Sequence, residues 1–189
     1  ALPIYLPTDW ADQDQLGEQL HRLLSLLFPL NRSLTGDGVR KTLALFREHC
    51  LPELQIHEVA SGSTFFDWTV PDEWNVREAY ILGPDGHKVV DFNDSNLHLV
   101  GYSEPVRCTL PLAELQPHLH SLPELPDAIP YVTSYYQRRW GFCLPHNVRE
   151  ALPEGNYEVV IDTSLQPGSL TYAEWVLPGE SEQEILLSS

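Results

Sequence analysis

Apolar positions recur at helical spacing near the start of the chain, where Leu16, Leu20, Leu23, Leu24, Leu27 and Phe28 form one stripe. The pattern predicts an amphipathic helix over 12–28, with Asp12 and Asp14 at the end where negative charge is favoured and Pro29 as its stop. A turn-rich link, 31–38, separates it from a second helix marked by Val39, Leu43 and Phe46 and ending before Pro52; Thr35 or Asp37 is its expected cap. From Leu54 to Val59 the period shortens to two, which predicts a strand.

Beyond residue 63 prolines and aromatics multiply and the pattern breaks into short pieces. Strands are expected at 65–70, 78–82, 88–92, 97–102 and 106–110, divided by turn signals such as Pro84-Asp85-Gly86. Residues 112–119 suit a short helix, 123–130 an extended surface segment, and the aromatic-rich stretch 129–142 fits no single period. Strands are again expected at 157–161, 170–177 and 185–187. The pattern as a whole predicts an α+β or α/β protein with a mostly β unit between about 63 and 167, and no internal repeat.

Composition narrows the function classes. Eleven basic against 27 acidic residues give a formal charge of −16, which repels nucleic acid and anionic lipid. No apolar run reaches the roughly 20 residues that span a bilayer. Three widely spaced cysteines, Cys50, Cys108 and Cys143, suit a reducing, cytoplasmic setting. The absence of methionine, with Ala1 at the start and the apolar stretch 184–189 running into the last residue, reads as a piece of a longer protein.

Chemistry-bearing motifs are few. His118 and His120 stand as a metal-like pair but lack a third ligand at useful spacing. Cys143 and His146 are near in sequence, yet nucleophile and base usually come from distant segments, and ordinary burial of Cys143 is favoured. Gly101-Tyr102-Ser103-Glu104-Pro105 imitates a nucleophile elbow, with Pro105 where the closing glycine belongs. Asp91, Asn93 and Ser95 imitate a calcium loop, with Asn96 at the required glycine. Arg138, Arg139 and Trp140, near Tyr131, Tyr135 and Tyr136, form the best recognition cluster, able to hold a carboxylate or phosphate beside aromatic faces. Packing of those aromatics, with the arginines paired to surplus acids, is the competing account. Asp94, His98 and Arg32 are further candidates, Arg32 either reaching a cleft or capping a helix end.

Four stretches, 31–43, 66–74, 91–98 and 131–143, resemble signature segments of a bacterial aminopeptidase-like family, and the resemblance covers nearly the whole chain. Members look like co-catalytic dizinc exopeptidases of α/β sandwich fold that carry an inserted β-rich domain of unknown function. The resemblance implies that residues 1–62 and 168–189 belong to the peptidase-like domain and 63–167 to the insert. Residues 170–179 and 184–189 are similar to the hairpin that ends just before the first zinc-binding histidine. Zinc is therefore expected in the longer protein, where two ions about 3.5–4 Å apart would activate water and polarise the scissile carbonyl. No metal ligand or catalytic residue is carried onto this chain, and the chain alone is expected to be inactive. Expected partners are a peptide or small-molecule substrate of the longer protein, its C-terminal part, and copies of the chain itself. The alternative is a non-catalytic module that binds a carbohydrate or small acidic ligand linked to polysaccharide metabolism.

Overall fold

The computed structural model describes residues 13–135, 137–181 and 183–188. Expectations for Asp12, Tyr136 and Ser189 lie outside the described residues, as does the side chain of Asp14. The architecture is mixed α/β, with small sheets and few helices.

Two helices come first, α1 (Gln13–Leu27) and α2 (Asp37–His49). They meet through Leu23 and Leu27, packed with Leu30, Leu45, Phe46 and Cys50. The rest of the α1 stripe is less covered: Leu24 is 63% exposed and Phe28 80%. The expected side-chain cap of α2 is absent. Gly36 occupies the cap position, and the Asp37 N–H is taken instead by Asn75 Oδ1 at 2.8 Å, from 38 residues away. The orphan donors of a helix start accept any well-placed oxygen, so a remote side chain serves as well as a local one.

Strand β1 (Gln55–Ala60) pairs antiparallel with β10 (Ser169–Glu174) in a two-stranded ribbon, Gln55 opposite Glu174 and Ala60 opposite Ser169. This pairing closes a loop that contains everything between. Next come the small hairpin of β2 (Thr64–Phe65) and β3 (Trp68–Thr69), then β4 (Glu73–Leu82), β5 (Lys88–Asp91) and β6 (Val106–Pro111). After α3 (Leu112–Leu115), β7 (Leu119–His120) runs parallel to β8 (Phe142–Cys143); α4 (His146–Glu150) and β9 (Asn156–Gln166) follow. Strands β5, β4, β9 and β6 form an antiparallel four-stranded sheet in that order.

The strand expected over 78–82 is the second half of β4, and the sheet shows why its first half breaks the alternation. Trp74 is buried, and so are Ala79 and Ile81, positions of opposite parity. A register shift between Val76 and Glu78 inserts one residue, which returns the apolar set to the core face. Strand β9 needs no such device: Tyr157, Val159, Ile161 and Thr163 alternate inward throughout. Tyr157, Val159 and Ile161 pack with Leu99, Tyr102, Leu112, Leu115, Leu119, Phe142 and Leu144 into the main core. Full burial of each large apolar side chain contributes roughly 1.5–3 kcal/mol.

Several expected elements are corrected. Residues 97–102 are not a strand: Asn96–His98 form a 3-10 turn capped by Ser95, and Leu99 and Gly101 make single bridges to Phe142 and Thr133. The helix over 112–119 stops at Leu115, continues as a 3-10 turn through Pro117, and gives way to β7. Ile185, Leu186 and Leu187 are exposed and outside any strand, because no segment among the described residues offers the backbone partners a strand requires. The strand expected over 170–177 ends at Glu174, where its partner β1 begins.

Candidate functional site

Thr35 lies in the link between the helices and reaches into the sheet domain. Its Oγ1 accepts the Trp74 backbone N–H at 3.2 Å and donates to Asp72 O at 3.3 Å. One hydroxyl proton is then committed, so Tyr102 Oη, 2.6 Å away, donates to the same oxygen. Thr35 is 1% exposed, and its hydroxyl ties the 31–38 link to the start of β4 and to the Gly101–Ser103 corner.

Tyr102 holds φ +64°, a left-handed conformation that strains a bulky residue by about 1–3 kcal/mol. Its surroundings fix it there. The ring stacks on Trp74 at 5.5 Å and meets Tyr135 edge-on at 5.0 Å, and burial pushes its hydroxyl pKa up. Trp74 Nε1 donates to Ser103 O at 3.0 Å, as does Thr163 Oγ1 at 2.9 Å. Ser103 itself is fully buried: its hydroxyl donates to Val100 O at 2.6 Å and accepts the Gly141 N–H at 3.3 Å. The positive backbone angle of this corner belongs to Tyr102, and the Ser103 hydroxyl is held by backbone groups as a structural clamp.

Over this corner lies an open groove of about 380 Å³, whose walls include Val70, Asp72, Tyr102, Tyr135, Arg138 and Leu165. The mixture is of the kind that holds small ligands: aromatic and aliphatic surface with a few charged groups of both signs. Tyr135 Oη is 3.3 Å from Tyr131 Oη, and that contact, with burial, pushes the Tyr131 pKa up to about 12. Arg138 Nη1 donates to Glu104 Oε1 at 3.4 Å across an exposed rim.

Of the residues singled out in the sequence, Tyr135 and Arg138 come together in this groove. Their neighbours do not. Arg139 donates to Thr133 O at 3.1 Å, and Trp140 lies flat on His118, ring centres 3.6 Å apart and 4° from parallel. His98 Nδ1 is 2.7 Å from Cys143 O, so it carries the proton and donates. Asp94 sits in the turn after β5, its N–H on Asp91 O. Arg32 Nη1 donates to Leu27 O at 3.4 Å, capping the end of α1. Asp91 Oδ1 accepts the Asn93 N–H at 3.0 Å while Lys88 holds Oδ2 at 2.6 Å, which is turn chemistry.

Sequence reading missed Thr35 as an anchor and Asp72 and Tyr102 as groove residues. Only the positive φ of Tyr102 and the fold of the link make them neighbours, and neither leaves a mark on the local pattern.

Among the described residues no three His, Cys, Asp or Glu side chains gather closely enough to hold a metal ion. His118 Nδ1 donates to Trp140 O at 3.2 Å, and His146 Nδ1 lies 3.0 Å from Ser121 Oγ. Burial pushes the Cys143 thiol up to about 11, away from the thiolate that would ligate or attack. No described helix is long and apolar enough to cross a membrane.

These features define a mixed α/β unit with a strained aromatic corner under a ligand-sized groove, and residues 73–164 match the family model described as a domain of unknown function, DUF2172. More particularly, the chain is similar to a protein of Clostridium acetobutylicum that is provisionally named a polysaccharide biosynthesis protein with an aminopeptidase-like domain. The two are 51% identical over 178 residues, which is 94% of this chain and 41% of that protein. The crystal structure of a provisionally assigned peptidase from Clostridium acetobutylicum superposes with a TM-score of 0.86 at 50% identity, covering 90% of this chain and 40% of the other. The chain thus spans about two fifths of the length of the relatives it matches.

Proposed function

We propose that this chain is the scaffold and accessory part of an aminopeptidase-like hydrolase, with peptide-bond chemistry and any zinc carried by residues outside it. The observation that carries the reading is the 51% identity to a protein named for an aminopeptidase-like domain, along 94% of this chain but only 41% of that protein. In this reading β1, β10 and helices α1 and α2 belong to the peptidase-like domain. Residues 63–167 form an inserted lobe, and its groove sets specificity or helps close the active site. Insertions at loop positions commonly serve so.

Incubating the chain with zinc and aminoacyl p-nitroanilides should give no turnover above buffer, and sustained hydrolysis would refute the division of labour. Reading the codons that follow Ser189 in the source genome should reveal histidines and carboxylates suited to two metal ions. If none occur, the hydrolase reading falls and a binding role remains. That second reading has its own support in the groove beside Tyr102 and Tyr135 and in the relative's name, which refers to polysaccharide biosynthesis. Oligosaccharide titration monitored by intrinsic fluorescence would test it, with saturable change in the wild type and none in Tyr135→Ala as the expected result.

A further inference from the structure

The groove beside Tyr102 is charged unevenly. Arg138, which the sequence offers as a fork for anions, is already engaged: its Nη1 donates to Glu104 Oε1 at 3.4 Å, and the pair carries no net charge. Asp72 also lines the groove, and its carboxylate has neither an ion pair nor a hydrogen bond among the described residues. Acids outnumber basic residues 27 to 11, so an unpaired carboxylate is ordinary in this chain. This one differs because it stands in the wall of a cavity of about 380 Å³.

The backbone around Asp72 is held on both sides. Pro71 O accepts from Ser61 Oγ at 2.9 Å, and Asp72 O accepts from Thr35 Oγ1 at 3.3 Å. Thr35 Oγ1 is in turn 2.6 Å from Tyr102 Oη, so one hydroxyl ties the aspartate to the aromatic corner. A charge placed before the ligand arrives binds without the cost of ordering a loop. Beside it Tyr102 and Tyr135 meet edge to face with ring centres 5.0 Å apart, and their hydroxyls are engaged by Thr35 and Tyr131. The rings therefore supply apolar and π surface. Thr69 and Gln137, both exposed, line the same groove, and neither side chain makes a hydrogen bond among the described residues. Their hydroxyl and amide groups suit a ligand that carries hydroxyls.

We propose that the groove takes a small amino sugar, its protonated amine on the Asp72 carboxylate and its ring against Tyr135. The inference rests on the carbohydrate reading of this groove and adds to it the charge of the ligand. An ammonium beside an unpaired carboxylate makes a charge-assisted hydrogen bond, and aromatic ring faces attract the same cation. An acidic sugar would meet Asp72 as a like charge while Glu104 already offsets Arg138, and the formal charge of −16 opposes its approach. The ligand is small because a groove of about 380 Å³ lies near the lower end of ligand pockets.

The test is a calorimetric titration of the whole chain with glucosamine, N-acetylglucosamine and glucuronate, on the acidic side of neutrality and at constant ionic strength. Saturable binding of glucosamine is expected, roughly tenfold or more tighter than that of the neutral or the acidic sugar, as one charge-assisted hydrogen bond allows. Asp72→Asn keeps the shape and the backbone contacts of the site. It should weaken glucosamine roughly tenfold with thermal unfolding unchanged, whereas Glu53→Gln, at an exposed carboxylate outside the groove, should leave binding as it is. Equal or tighter binding of N-acetylglucosamine or glucuronate, or wild-type glucosamine affinity in Asp72→Asn, would overturn the amine assignment and leave the carbohydrate reading standing. Leucinamide bound more tightly than glucosamine would overturn the sugar part of the assignment. Failure of all the sugars to saturate would remove the inference and the carbohydrate reading together.

Discussion

The hydroxyl of Tyr102 donates to Thr35 Oγ1 at 2.6 Å, joining residues 67 positions apart in a fully enclosed contact. Through it the link between the two helices is fastened to the corner that floors the groove, so the stability of one region and the shape of the other are coupled.

Replacing Thr35 by Val keeps the volume but leaves the Trp74 N–H and the Tyr102 hydroxyl without their acceptor. A loss of about 1–3 kcal/mol is expected from urea denaturation, because each buried polar group left unsatisfied costs that much. Tyr102→Phe removes only the donor and should cost less, about 0.5–1.5 kcal/mol. Equal stability of Thr35→Val and wild type would show that the contact is not formed in solution.

Gly36 sits next to this anchor at φ +100°, and a Cβ there would lie within 2.8 Å of Asn75 Oδ1 and against Trp74 O. Gly36→Ala therefore combines an unfavourable backbone with a clash against the group that caps α2. A loss greater than about 2 kcal/mol is expected in thermal or urea unfolding; a neutral outcome would contradict the close approach.

Glu73 accepts from Arg40 Nη1 at 3.0 Å, and its second oxygen contacts Nη2 of the same arginine. Arg40 is the main cause of a carboxyl pKa below the ordinary 4.5, with the Ser169 N–H and Asn75 assisting and burial opposing. A folded value below the unfolded one means that the stabilisation is complete above about pH 4.5 and is lost as pH falls through the folded value. Glu73→Gln should thus be less stable than wild type at about pH 7, by about 1.5–3 kcal/mol for a charge-assisted pair. The gap should narrow on acidification, and a gap that stays constant down to about pH 3 would exclude the ion pair as its source.

Cys143 is 0% exposed and its thiol is pushed up to about 11 by burial. At about pH 8 only about one molecule in a thousand would carry the thiolate there. Maleimide should label this cysteine in the native protein far more slowly than in urea, as read by mass spectrometry of the tryptic peptides. Rapid native labelling would place Cys143 at an accessible and reactive site instead.

Several elements could be read from residues alone because their information is local. The α1 stripe ends at Pro29, and the run 157–161 is apolar enough to name the centre of β9. Other features depend on distant partners. The parity change from Trp74 to Ala79 is a bulge that only pairing with β9 reveals, and Ile185–Leu187 have strand composition but no strand to pair with among the described residues. Arg138, Arg139 and Trp140 read as one cluster because they are adjacent, yet they lie outside any helix or strand and meet different partners. Arg138 joins the groove, Arg139 is held on Thr133 O, and Trp140 stacks on His118.

The sequence by itself determined the net charge, the two N-terminal helices and the succession of short β segments, since these follow from composition and nearest-neighbour periodicity. Tertiary structure alone decided that Thr35 meets Tyr102, that Asn75 caps α2 and that Trp140 stacks on His118. Those relationships join residues tens of positions apart, and no local pattern encodes them; they arise when β9 pairs with β4 and β6 and brings distant segments of the chain together.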